Sequence, residues 1–211
     1  MHKLQRGSAP VCLSSYRHGR DRWSHTRPTG QEKTDIWEAL DAMQGHRCAY
    51  CEAEIRQPDC HIEHFQPRFR FPHLTFDWSN LFGSCNRPDS CGKHKDDCGA
   101  NRPDDLIKPD LDDPEHFFLF VNDGTIVVRP NLNATERHRA EETLRIFNLN
   151  AQRGALRYMR QQAVAGYLQL GEELRAIAAD YPDEYLTLLH SELVATAHLP
   201  FSTAIKHTLL P

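Results

Sequence analysis

An α+β fold is the class this 211-residue chain predicts, on three observations. Apolar residues at helical spacing dominate the last third, residues 134–211. Two β-rich runs, residues 117–121 and 125–129, flank Asn122, Asp123 and Gly124, and an Asp-Gly pair between such runs signals a β-hairpin. Between an early helix and that hairpin, residues 48–98 are rich in Cys, His, Asn, Asp, Pro and Gly and poor in periodicity. That is the pattern of a segment whose backbone is held by metal binding and chemistry.

Residues 1–30 carry breakers at Gly7, Pro10, Gly19, Pro28 and Gly30, and they read as an extended basic arm or an irregular cover. Over residues 31–44, Ile36, Trp37, Leu40 and Met43 fall at helical intervals, and Gly45 stops the helix just before the first cysteine pair. This helix and the cysteine-rich stretch make one unit, residues 31–100. An acidic, proline-punctuated connection and the hairpin occupy residues 101–133. Residues 135–149 and 153–180 then predict two helices, on the spacing of Leu144, Phe147, Leu156, Met159, Val164, Leu168, Leu174 and Ile177. Asp183 is placed to cap a third, carrying Tyr185, Leu188, Leu189 and Leu193, and Pro200 opens a short last segment. Residues 134–211 are therefore expected to be a helical C-terminal subdomain.

Composition narrows the class further. Seven cysteines at uneven spacing do not read as a disulfide framework, so thiol chemistry in a reducing compartment fits better. The first residues lack the apolar core of a secretory signal, and no apolar run approaches the roughly 18 residues needed to span a bilayer. A cytoplasmic protein with no membrane partner is expected. A formal net charge of -4 argues against coating nucleic acid by bulk electrostatics. Local charge is uneven, however: in the first 33 residues Lys3, Arg6, Arg17, Arg20, Arg22, Arg27 and Lys33 are set against only Asp21 and Glu32, while residues 96–115 are dense in aspartate. Such an arm suits phosphates, and an ordinary solvated face explains it equally well.

The cysteines carry the strongest signal. Cys48 and Cys51 form a Cys-x2-Cys knuckle, which presents two sulfurs from one tight turn, and four thiolates about 2.3 Å from a zinc ion make a closed structural site. Cys85 and Cys91 supply the second pair, although the five residues between them exceed the usual spacing of roughly two to four. Residues 86–90 must therefore loop out. Cys12, Cys60 and Cys98 lie outside the set, with Cys60 or Cys98 the substitute if Cys91 is not a ligand. Buried apolar cysteine is the bland alternative.

Between the knuckles, His61, Ile62, Glu63, His64, Phe65 and Pro67 suit the end of a short strand. Neighbouring strand residues face opposite sides, so Glu63 and His64 can serve one site only if the strand ends or kinks there. Hydrolysis of a phosphodiester needs a base near neutral pH, for which the imidazole of His64 is suited. It also needs charge neutralised at the phosphate, for which Glu63 can hold a hard divalent ion. Alone, a Glu-His pair is usually just solvated. Phe69, Phe71, Leu74, Phe76 and Trp78, alternating with polar residues, read as core packing more readily than as a base-stacking platform.

Taken together, Cys48, Cys51, Ile62, Glu63, His64, Phe65, Pro67, Trp78, Asn80, Leu81, Cys85, Cys91, Gly92, Lys95 and Asp96 form a pattern that resembles the HNH endonucleases. Within that family it resembles the PtuB-type nucleases of Septu and retron-associated anti-phage systems. Lys3, Leu4, Pro10 and Trp23, the Ile107, Pro109 and Asp110 connection, the hairpin, and residues 140–150 extend the likeness over most of the chain. The resemblance implies a ββα-metal core stapled by a four-cysteine zinc site, and metal-dependent cleavage of DNA using Mg2+ or Mn2+. It implies that His64 activates water, that Glu63 binds the catalytic ion, and that the Asn80 amide holds the backbone around His64.

One position departs from the family. A His or Asn usually follows the last cysteine, and here that place is Gly92. On a helix opened by Cys91, His94 and Lys95 return to roughly one face. His94 is the expected replacement ligand, with Asp96 a weaker one. Arg68, Arg70, Lys93 and Lys95 are the expected contacts to the nucleic-acid backbone, positioning without specifying sequence. The resemblance further implies a PtuA-type, ABC-type ATPase as partner, and in retron-associated systems a reverse transcriptase and its nucleic acid. No phosphate-binding Gly-x4-Gly-Lys loop occurs in this chain. The competing expectation, motivated by Gly92, is a catalytically inactive zinc-stapled module that binds nucleic acid or protein. A thiol redox protein built on Cys48 and Cys51 lacks the βαβ context it needs.

Overall fold

Thr29 and Glu32 start the first helix by a reciprocal capping box, each side chain accepting from the other's backbone N–H. This helix, α1 (Gly30–Gln44), ends at Gly45, whose φ of 60° is the left-handed conformation that lets its N–H return to the Asp41 carbonyl at 2.7 Å. The computed structural model describes residues 1–99, 101–151 and 155–210. At the helix end the buried Gln44 amide donates to the Arg47 and Gly83 carbonyls at 2.6 and 3.0 Å and accepts from the Gly83 N–H at 2.8 Å. One side chain thus ties α1 to the cysteine turn that follows and to a strand 39 residues on.

The centre is a two-stranded antiparallel sheet with a short helix against it. Strand β1 (Cys60–His64) pairs with β2 (Leu81–Cys85) in the register Cys60 to Cys85 and His64 to Leu81. Every residue of β2 is buried, with α1 and α2 (Cys91–Asp97) both packed against it. Gly83 is required at that crossing: a Cβ there would lie 2.9 Å from Trp37 and 3.0 Å from Gln44. Between the strands, residues 65–80 fold back through two 3-10 turns, Pro72–Leu74 and Trp78–Asn80.

A four-residue helix, α3 (Pro114–Phe117), leads into the expected hairpin, β3 (Phe118–Phe120) with β4 (Ile126–Val128). In its turn Gly124 adopts a φ of 86°, and a Cβ there would strike the Arg157 carbonyl at 2.2 Å. Asn133 and Glu136 form a second capping box at the start of α4 (Ala134–Ile146). The expected continuation to residue 149 does not occur, since Phe147 leaves the helix and Asn148 takes a φ of 44°. The single helix expected over residues 153–180 is two, α5 (Ala155–Ala165) and α6 (Leu168–Ala178), parted at Gly166 and Tyr167, and its residues 153 and 154 lie outside those described. Helix α7 (Pro182–Thr196) begins with Pro182 in its first turn, the position where a missing N–H costs nothing, so Asp183 lies inside the helix and not at its cap. Helix α8 (Ser202–Leu209) closes the chain's described part.

The pieces share a core. Tyr50 of the cysteine turn stacks on Phe147 at 4.1 Å, and Phe65, Phe82, Phe118, Ile146, Leu156 and Leu209 are fully or almost fully buried in the same cluster. The N-terminal arm is an irregular cover: Met1 and Leu4 are buried, and Arg6 donates to the Trp78 and Leu81 carbonyls and to Asp110. Glu52, also buried, accepts from the Met1 ammonium at 2.5 Å and the Thr203 N–H at 3.0 Å, linking the arm to α8. Among the described residues no helix is long and apolar enough to cross a membrane.

Candidate active site and metal centre

The turn after α1 sets Cys48 and Cys51 by backbone bonds from Cys48 to Ala53 and from Glu52 back to Cys48, with Ala49 held to Gly83 of β2. Cys85 ends β2, and Cys91 opens α2 with its N–H on the Phe147 carbonyl at 2.8 Å. The four sulfurs are buried and lie within 4.8 Å of one another, with Cys51 and Cys85 4.0 Å apart. A tetrahedron of zinc–sulfur bonds of about 2.3 Å has edges of about 3.8 Å, so the four are positioned to bind a metal such as zinc. Burial raises the Cys48 thiol, but hydrogen bonds from Cys51, Cys85 and Cys91 outweigh it and hold Cys48 well below the usual thiol range. Four converging sulfurs in a dry pocket are a donor set that a soft-tolerant cation satisfies. The intervening loop is pinned outside the cluster, with Asn86 bonded through its N–H to the Asp59 carbonyl. Cys12, Cys60 and Cys98 are not part of the group.

Ahead of this centre β1 delivers Glu63 and His64 to its end. Both line a cavity of about 960 Å3, together with His61, Arg68, Lys93 and Asp96 from the centre and His18, Arg22 and Trp23 from the arm. The strand stops at His64, which is how two adjacent residues come to serve one cavity. His64 Nε2 lies 2.9 Å from the Thr75 carbonyl oxygen, which can only accept, so Nε2 carries the proton and Nδ1 keeps a lone pair. Trp23 stands edge-on to the ring at 4.7 Å. Burial, helped by the charge of Arg68, pushes the His64 pKa down to about 3, so the ring is neutral near pH 7.

The loop that brings Thr75 to His64 is tied at both ends by one side chain. The Asn80 amide accepts from the Gln66 N–H at 2.7 Å and donates to the Gln66 and Leu74 carbonyls at 3.1 Å each. Glu63 is 2% exposed. Burial raises its pKa, but the His61 hydrogen bond and the Lys95 charge outweigh that and leave it below the ordinary range. Lys95 Nζ forms a buried ion pair with Glu63 Oε1 at 2.7 Å.

The expected residues divide by helical face. Gly92 and Lys95, three apart on α2, face Glu63. His94, two residues beyond Gly92, turns to the opposite side, where Nδ1 sits 2.9 Å from the Ile146 carbonyl and 3.1 Å from Cys98 Sγ. It is not brought together with Glu63. Lys95 is buried and committed to Glu63, Asp96 and the His64 carbonyl, away from any surface contact. Arg68 and Lys93 are exposed on the cavity, whereas Arg70 is bonded to the Asn101 carbonyl outside it. Of the aromatic run, Trp78 is buried and Phe76 stacks on Tyr16 at 4.3 Å, while Phe69 stands 82% exposed at the cavity.

Sequence reasoning missed His61, Asn86, Trp23 and Thr75. His61 had a legible signal, since it precedes Glu63 by two on a strand and so shares its face. The other three act through contacts 11 to 41 residues distant along the chain, which no local pattern encodes.

No protein-family model matches the chain. It is similar to the Septu protein PtuB of Bacillus thuringiensis, with 30% identity over 86 residues. That stretch is 40% of this chain and covers 32% of the relative's length.

Proposed function

We propose that this chain is a zinc-stapled, metal-dependent HNH-type endonuclease that cuts DNA as the effector of an anti-phage defence system. The observation that carries the reading is the pairing of His64, tautomer-locked by the Thr75 carbonyl, with the buried carboxylate of Glu63 at the same strand end. The β1–β2–α2 unit around four clustered cysteines supports a ββα-metal core. Likeness to a Septu protein supports the defence role and, through it, an ATPase partner.

The chemistry follows from the groups present. The free Nδ1 of His64 takes a proton from a water aligned with the phosphorus, and the Thr75 carbonyl steadies the imidazolium that results. A phosphodiester held beside it by Arg68, Lys93 and Arg22 brings negative charge that raises the basicity of a ring otherwise pushed low by burial. Asn80 is a positioning residue, fixing the loop on which Thr75 rides. A divalent ion held at Glu63 would supply charge neutralisation at the phosphate and at the departing oxygen. The zinc-type site, sealed from solvent, has a structural role.

Purified protein should cut plasmid DNA when Mg2+ or Mn2+ is supplied, and His64→Ala should lower the rate at least ~100-fold with zinc content unchanged. Cleavage by that variant at the wild-type rate would refute the assignment. Cleavage of RNA but not DNA would keep the mechanism and change the substrate.

A further inference from the structure

We infer that His61 is the second protein ligand of the catalytic divalent ion, taking from the strand the place that Gly92 leaves open on the helix. The inference rests on the reading of Glu63 as a metal-binding carboxylate and names the partner that reading lacks.

Three observations converge on it. His61 and Glu63 lie two apart on β1 and therefore share a face, with His61 Nε2 3.0 Å from Glu63 Oε2. Adjacent donors of an octahedral ion with bonds of about 2.1 Å stand about 3 Å apart, so the pair already has the separation of two neighbouring ligands. Second, the other ring nitrogen is engaged. Asn86 uses its amide nitrogen on the Pro58 carbonyl at 2.9 Å, which turns its oxygen toward His61 Nδ1 at 2.8 Å. This contact fixes the ring, with Nε2 turned toward the Glu63 carboxylate. A ligating histidine whose second nitrogen donates to an oxygen is the usual arrangement at protein metal sites.

The third observation explains the glycine. A Cβ on Gly92 would fall 2.6 Å from Glu63 Oε2 and 3.0 Å from His61 Nε2. The helix approaches so closely that any side chain at that position would occupy the space of the two donors. Residue 92 can therefore supply a ligand, or it can make room for one from the strand, and this chain has the second arrangement. The solvent side of the pair opens on the cavity that His64 lines, so substrate and ion meet there.

The test is a Mn2+ titration of the zinc-loaded protein, followed by the loss of the free-ion electron paramagnetic resonance signal, with zinc content and thermal melting measured alongside. Wild type is expected to bind one Mn2+, His61→Ala to weaken binding at least ~10-fold with zinc and melting preserved, and Asn86→Ala to weaken it by roughly 10-fold through its hold on the ring. His94→Ala is expected to leave binding unchanged. Wild-type affinity in His61→Ala, an equal loss in His94→Ala, or no Mn2+ binding by wild type would each overturn the inference. Mn2+ binding that depends on His61 in a protein that cuts no nucleic acid would leave it standing and refute the nuclease reading.

Discussion

The cysteine-rich centre and the helical C-terminal third solve the problem of stability by different physics. In the centre, two five-residue strands and a seven-residue helix bring charged and polar groups inward: Glu63, His64, Asn80, Ser84 and Lys95 are all buried there. Four converging sulfurs there are positioned to provide a metal cross-link. In the C-terminal third the buried positions include Leu156, Val164, Leu174, Tyr185, Leu189, Ile205 and Leu209, spread over four helices that pack on one another. Metal cross-linking frees a backbone to hold chemistry at strand ends, whereas helix packing needs its side chains for the core.

The sharpest way to break the comparison is to remove the metal. Zinc sites of this type contribute about 10–16 kcal/mol of apparent binding energy, which is as large as the whole stability of an ordinary domain. Strong chelation or Cys85→Ser should therefore erase amide-exchange protection across β1, β2 and α2 while α6 and α7 keep theirs. Mass-spectrometric hydrogen exchange reads this directly, and an equal loss in both regions would show that they are one cooperative unit.

A smaller effect is expected on the helical side from Arg160→Ala. This guanidinium is buried, donates to the Gly124 and Leu149 carbonyls, and lies 5.6 Å from the centre of the Phe120 ring. Its removal leaves two buried carbonyls unpaired and a void, at about 3 kcal/mol, with zinc content unchanged. Thermal melting should fall by roughly 6–12 °C. A drop in bound zinc would show that the two regions are coupled through this residue.

The smallest effect concerns the latch between α3 and α8. Glu115 meets Lys206 at 2.8 Å and His207 at 3.3 Å, and the hydrogen bond from His207, followed by that from Lys206, holds its pKa at about 2, below the ordinary carboxylate value of 4.5. A depressed acid stabilises the fold fully above the unfolded value and ceases to do so as pH falls from about 4.5 toward 2. Because the group is partly open to solvent, the contribution is roughly 1–2 kcal/mol. Glu115→Gln should lower stability by that amount at pH 7 and flatten its decline over the acid window. Urea titrations of both proteins at pH 7 and pH 3 measure it, and parallel curves would remove Glu115 from the account.

Particular residues show where sequence reading succeeds. Helix α1 was legible because both of its ends are local: a run of apolar residues at helical spacing and a glycine able to take φ of 60°. The hairpin was legible from Asp123 and Gly124. The cysteines were legible because a knuckle is a short-range object, and the second pair had few competitors. Gly92 departs from the family pattern, the chain's spacing pointed to His94 as the replacement ligand, and α2 turns that ring away toward Ile146. One helical turn sets which residues share a face, and it does not set which face meets a given strand.

By itself the amino-acid sequence determined the α+β class, the helix and turn boundaries that depend on neighbours, the four sulfurs, and the adjacency of an acid and an imidazole at a strand end. Tertiary structure alone decided that Thr75 would select the tautomer of His64, that Trp23 from a distant arm would cover it, and that Gly92 would press against His61 and Glu63. The physical reason is range. Dihedral preference, capping and ligand spacing act over a few residues and are written locally, while the orientation of a side chain in a site is set by long-range packing that the whole chain minimises together.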